Sequence, residues 1–278
     1  MLKIHGKSAL VVMLGILLFA TSCSNYQKLL KSTDNELKLE KAIEYYEKGD
    51  YHRAIGLFTD VIPAYRGTQK AELINYYYAM AHYKQRDYVM ASHYFKTFHQ
   101  AFPTSKHAEE FLFLAAYTKY LDSPRPSLDQ TTTIEAIREL QIFINRYPAS
   151  ERVAEANALI DELRQKQEKK VFDQAVLYYN LSDYVASITT FNNLIRDFPD
   201  SKYREEAMFN IVKANFDYAS QSIPDRQPER FSKVLEAHNR LSRHFPESRY
   251  LAQSQRMYDN AHVRIEQLTA NQEITENK

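Results

Sequence analysis

The residues able to do chemistry are one thiol, Cys23, nine histidines and 35 acidic side chains. Their spacing gives them no joint task. His93 and His99 stand six residues apart, on different faces of one helix, so they do not form a chelating pair. There is no His-Glu-x-x-His, EF-hand loop, Gly-x-Ser-x-Gly elbow or cysteine pair. The five glycines end at Gly67, so most of the chain lacks the glycine-rich loops whose amides cradle phosphates. The expectation is no catalytic residue, no metal and no cofactor. The charged run Arg164 to Lys170 reads as a solvated helix face.

Cys23 is the exception. Lys3 and Lys7 form a positive head, and Ala9 to Ala20 is an uncharged apolar run. That run is shorter than the roughly 20 residues that span a bilayer, but it suits a secretory signal. Small residues Ala20-Thr21-Ser22 lead into the cysteine, and the segment resembles a bacterial lipobox, whose cysteine is acylated and becomes the mature N-terminus. Ala20 departs from the leucine more usual there. An unmodified lone thiol outside the cytoplasm would be a liability. The boundaries expected are a signal peptide over 1–22 and a lipidated tether over 23–33, with Cys23 as the lipid anchor. Several acyl chains, at about 0.8 kcal/mol per buried methylene, hold a protein on a membrane durably. Ser24, in place of aspartate, resembles outer-membrane sorting.

Without the signal, 34 basic side chains face 35 acidic ones. So even a balance gives no global electrostatic reason to bind nucleic acid. Scarce glycine, and long stretches of Ala, Leu, Glu, Lys and Arg, point to an all-α chain.

The elements that would position any site repeat. Gly49-Asp50-Tyr51, Arg86-Asp87-Tyr88 and Ser182-Asp183-Tyr184 align on their tyrosines. Small residues follow at Ala54, Ala91 and Ser187, then Phe58, Phe95 and Phe191; Ala42, Ala79 and Ala175 lie nine residues upstream. Small residues allow close helix approach, and the aromatic fills the space between helix pairs. Aromatic-Pro-x-Ser recurs at Phe102, Tyr147, Phe198 and Phe245. Proline stops one helix and the serine is expected to cap the next. The intervals exceed the ~34 residues of a tetratricopeptide (TPR) repeat, and two insertions, Ser123–Gln130 and Gln221–Glu229, account for the excess. No proline or glycine interrupts 150–181, which predicts one extended helix. The fold expected is an all-α, TPR-like α-solenoid over 34–268, of about five helix pairs. A C-terminal capping helix, Arg249 to Leu268, closes it, and 269–278 form a polar, disordered tail.

In a TPR superhelix the first helix of each pair lines the concave groove. That geometry nominates Leu39, Ile43 and Tyr46 from the first pair and Leu73, Tyr76, Met80 and Tyr83 from the second as a peptide-binding groove. Phe172, Val176 and Tyr179 would continue it in the fourth. Tyrosine and methionine supply adaptable apolar surface with little charge. Packing between helices is the alternative for any one of them.

The order of Ala42-Ile-Glu-Tyr-Tyr-Glu-Lys-Gly-Asp-Tyr51, Leu128-Asp129-Gln130, Phe143-Ile-Asn-Arg-Tyr-Pro-Ala-Ser150 and Ile195-Arg-Asp-Phe-Pro-Asp-Ser201 resembles the BamD family, TPR lipoproteins of the outer-membrane β-barrel assembly machinery. The resemblance covers nearly all of 23–268. It implies a chain lipid-anchored to the periplasmic face of the outer membrane. Its C-terminal repeats, within roughly 184–268, would bind a BamA-type barrel protein. Its N-terminal repeats, around Tyr46, Tyr76 and Tyr83, would receive the aromatic-ended signal of unfolded outer-membrane proteins. The arginine that the family is thought to pair with an acidic BamA residue falls at Thr190, so the resemblance implies other contacts there. Two rivals stay open: a TPR lipoprotein scaffold for other envelope proteins, and a ligand-capturing lipoprotein of glycan-uptake type.

Overall fold

A computed structural model of the protein describes the backbone over residues 25–276 and the side chains to 270. Cys23 and the signal segment lie outside the described residues. Twelve α-helices and no strand occur among the described residues. A short helix α1 over residues 25–30 precedes α2 (Asn35–Glu47), α3 (Tyr51–Val61), α4 (Ala71–Lys84), α5 (Tyr88–Ala101), α6 (Ala108–Asp122) and α7 (Thr131–Arg146). Then come α8 (Val153–Asn180), α9 (Tyr184–Asp197), α10 (Arg204–Ser220), α11 (Gln227–His244) and α12 (Leu251–Glu276). From α2 to α11 these are five helix pairs, and α12 follows as a final helix: the fold is all-α and TPR-like. No described helix is long and apolar enough to cross a membrane.

The chain divides into two compact units. One holds the described residues up to Ser123 together with Thr131–Ile160, and the other holds Pro124–Gln130 and the residues from Asp161 on. The division falls within α8.

The repeated turn has a common physical basis. Gly49, Arg86 and Ser182 all adopt a left-handed backbone, with φ of +78°, +64° and +62°. This reverses the chain directly after a helix. The next residue caps the following helix: Asp50, Asp87 and Asp183 accept the backbone N–H of Arg53, Met90 and Ala186 at 3.1–3.3 Å. The small residues Ala42, Ala79, Ala175, Ala54, Ala91 and Ser187 are completely buried, and so are Phe58, Phe95 and Phe191. Ser187 satisfies its buried hydroxyl by donating to the Ala175 carbonyl at 2.9 Å.

The aromatic-Pro-x-Ser turns differ from expectation in one respect. Ser105, Ser150, Ser201 and Ser248 each accept the N–H of the residue two positions on, at 3.1–3.2 Å. They thereby fix a tight turn ahead of the helix, and the formal N-caps of α6 and α10 are His107 and Tyr203, without side-chain caps. Ser105 and Ser201 thus stand two residues ahead of the N-cap position. Similarly, α11 begins at Gln227, so Pro228 lies in its first turn, where a missing N–H costs nothing. α8 is the single extended helix expected, and α12 continues past Leu268 to Glu276.

Candidate functional site

Within the first unit, α2 and α4 present the nominated groove residues. Leu39 is buried (4 % exposed) in the core formed with Leu57, Phe58 and Ile74, so it supports the surface from beneath. Ile43, Tyr46, Tyr76, Met80 and Tyr83 are half-buried, and Leu73 is 46 % exposed.

The tyrosines belong to a continuous chain of rings. Tyr46 meets Tyr77 at 5.0 Å and Tyr51 at 5.5 Å; Tyr77 meets Tyr76 at 5.5 Å. Tyr76 stacks on Phe111 at 5.3 Å, Phe111 meets Phe95 at 4.7 Å, and Phe95 meets Tyr83 at 5.8 Å. These are the edge and offset contacts that the ring quadrupole favours. Tyr46 and Tyr83 are therefore linked only through intervening rings. Tyr77 and Phe111, which the sequence reading did not nominate, hold the set together. In the run Tyr76-Tyr77-Tyr78 each ring points to a different side of the helix, and helical spacing alone did not single out the middle one.

The electrostatics are those of an apolar, proton-rich surface. Burial, together with Tyr76, Tyr51 and Tyr77 nearby, pushes the Tyr46 hydroxyl up to about 12. Burial also raises Tyr83, helped by Tyr117, Tyr88 and Glu110 and opposed by Arg152. Both hydroxyls stay neutral donors at ordinary pH. Beside Tyr83, Arg152 grips Glu110 with two contacts at 2.7 and 3.2 Å and lies 4.8 Å over the Phe113 ring.

Each Ser turn also covers an aromatic ring of the preceding first helix. Ser105 donates to Glu72 at 2.6 Å and brings His107 to 4.5 Å from Tyr76. Ser201 donates to Glu168 at 2.8 Å and brings Tyr203 to 4.8 Å from Phe172. Arg152 over Phe113 and Tyr250 over Phe209 at 4.6 Å repeat the arrangement. A planar side chain two residues after the serine is the sequence signal.

In the second unit, Phe172 is buried under Tyr203, and Val176 and Tyr179 are half-buried. The Tyr179 hydroxyl is tied to Asp217 and its ring lies 4.4 Å under Lys213, so its polar end is already engaged. Thr190 donates its hydroxyl to the Ala186 carbonyl of its own helix at 2.8 Å and carries no charge. The Pro124–Gln130 loop is tied down within this unit. The Gln130 amide donates to the Arg125 and Leu128 carbonyls at 3.0 and 3.1 Å, and Lys170 donates to Leu128. Among the described residues, no group of three or more His, Cys, Asp or Glu could hold a metal ion.

The protein-family model described as "Outer membrane lipoprotein" (YfiO) matches residues 32–221. The chain is 26% identical over 204 residues to the "Putative outer membrane protein assembly factor BamD" of Aquifex aeolicus, covering 73% of this chain and 66% of that protein. It is 25% identical over 154 residues to "Outer membrane protein assembly factor BamD" of Helicobacter pylori, covering 52% and 67%. It is 22% identical over 200 residues to the protein of that name in Pasteurella multocida, covering 68% and 76%. The chain thus spans about two thirds of the length of the first two relatives. The matched residues run from the start of the first helix pair into the turn after α10, and with them the chain belongs to the BamD (YfiO) family of outer membrane lipoproteins.

Proposed function

We propose that the protein is a non-enzymatic adaptor of outer-membrane β-barrel assembly. It is anchored through an acylated Cys23 and faces the periplasm. Its C-terminal repeats, within 184–268, bind a BamA-type barrel protein, and its N-terminal repeats receive unfolded outer-membrane proteins. The relatives' name, outer membrane protein assembly factor, supports the first part of this reading.

The observation that carries the client role is the set of half-buried tyrosines on α2 and α4, Tyr46, Tyr76, Tyr77 and Tyr83, joined through the buried Phe111 and Phe95. A surface of neutral aromatic rings, with Ile43, Leu73 and Met80 beside it, suits the alternating aromatic side chains of an unfolded β-strand. Tyr46 and Tyr83 keep their protons, so they add hydrogen-bond donors without charge.

The test is fluorescence anisotropy with a labelled peptide that copies the aromatic-ended C-terminal strand of an outer-membrane protein. Tyr46→Ala plus Tyr83→Ala should weaken binding about tenfold or more, as for truncation of two aromatic anchors. The corresponding Tyr→Phe pair should largely retain it. Unchanged binding by the alanine pair, with the helical signal intact, would remove these residues from the client surface.

A further inference from the structure

The chain leaves almost no slack between Cys23 and the fold. Helix α1 begins at residue 25, so Ser24 alone separates it from the cysteine. Two peptide steps span at most about 7 Å.

Helix α1 is itself fastened to the first unit. Tyr26, Leu29 and Leu30 pack against the core that holds Leu39, Leu57 and Phe58. The Tyr26 hydroxyl donates to the Arg53 carbonyl at 3.3 Å. After the helix, the Ser32 N–H donates to the Leu29 carbonyl at 3.1 Å, and the Ser32 hydroxyl accepts the Asp34 N–H at 3.1 Å. Asp34 in turn caps α2 by accepting the Leu37 N–H at 3.0 Å. The segment from Tyr26 to Asp34 thus belongs to the folded unit and is not a loose tether.

The outer face of α1 is cationic. With Tyr26, Leu29 and Leu30 on one side of a helix, Lys28 and Lys31, three residues apart, fall on the other. The Lys31 N–H donates to the Gln27 carbonyl at 3.4 Å, so Lys31 continues the helical turn. Gln27, Lys28 and Lys31 are all exposed. Neither lysine is in an ion pair among the described residues. The two carboxylates whose charge reaches Tyr26 are already taken: Asp60 pairs with Lys38 at 2.9 Å and Asp50 with Arg53 at 3.1 Å.

We propose that the outer face of α1 is a membrane seat, on which Lys28 and Lys31 meet the phosphates of anionic lipids. The proposal rests on the acylated Cys23 put forward above. Acyl chains inserted within about 7 Å of α1 bring the phosphate layer to that helix, and the two unpaired lysines match its charge. The anchor and the basic face together make a two-part attachment. Because Tyr26, Leu29 and Leu30 hold α1 to the core, the seat also fixes which side of the first unit faces the lipid.

The test uses the full lipidated chain in vesicles of equal parts phosphatidylcholine and phosphatidylglycerol. An acylated Cys23 has no thiol to label, so a nitroxide on Gln27→Cys reports the seat alone, and one on Thr104→Cys, in the exposed turn after α5, serves as reference. The label at position 27 should be about threefold or more less accessible than the reference to a water-soluble nickel chelate. Lys28→Glu plus Lys31→Glu, or added salt, should remove most of that protection while the chain still floats with the vesicles. Equal accessibility at the two positions in a floating chain would overturn the seat and leave the anchor standing. So would protection that the glutamate pair leaves unchanged. A chain that does not float, and that takes up a second label at Cys23, would overturn the anchor and the seat with it.

Discussion

The hydroxyl of Tyr26 donates to the carbonyl of Arg53 at 3.3 Å and lies against Gly56, in the middle of α3. The Tyr26 ring also meets Tyr45 edge-on at 5.8 Å, with the Arg53 guanidinium 5.7 Å above both rings. Gly56 has no left-handed backbone; it is small because a Cβ there would collide with the Tyr26 hydroxyl. The helix gives up about 1 kcal/mol of propensity for this contact. Gly56→Ala should therefore displace the Tyr26 ring and leave α3 itself intact. Hydrogen exchange should rise over residues 25–30 while α3 keeps its protection. Unchanged exchange over residues 25–30 would mean that Tyr26 does not hold α1.

The three left-handed turns make a graded prediction. Gly49 adopts φ +78° without strain, whereas Arg86 and Ser182 carry side chains at +64° and +62°. A left-handed residue with a side chain costs roughly 1–2 kcal/mol, partly offset because glycine loses more freedom on folding. Arg86→Gly and Ser182→Gly should each stabilise the fold by about 0.5–1 kcal/mol, and Gly49→Ala should destabilise it by about 1 kcal/mol or more. Urea midpoints of the three variants check the order.

Acid should weaken the first unit through His82. Its Nδ1 is 3.1 Å from Asp87, and its buried Nε2 has no hydrogen-bond partner among the described residues. Burial holds its pKa below the usual value of 6.5, and the Asp87 carboxylate opposes this only in part. The unfolded chain thus takes up a proton at a pH where the folded chain does not. Stability is full above about pH 6.5 and falls as the pH drops toward the folded pKa. Burial lowers His99 and His238 as well, with the same sign. Thermal unfolding measured from pH 7.5 downward should show a falling midpoint, with a shallower fall for His82→Gln. An identical profile for that variant would refute the assignment.

The covering rings make a local prediction in the second unit. Tyr203 stacks on Phe172, which also meets Phe191 at 5.7 Å. Tyr203→Ala uncovers a buried ring and should cost about 2 kcal/mol, whereas Tyr203→Phe keeps the stack and should cost little. Denaturant midpoints for the two variants decide this.

Much of the fold could be read from residue type and interval, because each repeat solves the same packing problem. Ala42, Ala54, Phe58 and their counterparts are buried where their spacing placed them, since a crossing of two helices accepts only small side chains. Asp50, Asp87 and Asp183 cap as their turn position implies. Ser105 and Ser201 lie two residues ahead of the N-cap, a difference that sequence does not show, because an acceptor before a helix reads the same whether it caps the helix or the turn ahead of it.

The candidate site was legible only in part. Tyr46, Tyr76 and Tyr83 were nominated, but Tyr77 and Phe111, which join them, depend on tertiary contact. The contact of Tyr26 with Gly56 spans thirty positions and leaves no periodic trace; in sequence, Gly56 is simply a poor helix residue.

The central claim is tested most directly by recovering the tagged chain from outer membranes of its own host in mild detergent and measuring what accompanies it. A BamA-type barrel protein should accompany the chain in near-stoichiometric amount, and Cys23→Ser should release the chain from the membrane fraction. Recovery of a glycan transporter with no BamA-type protein, or a chain that stays on the membrane without Cys23, would contradict it.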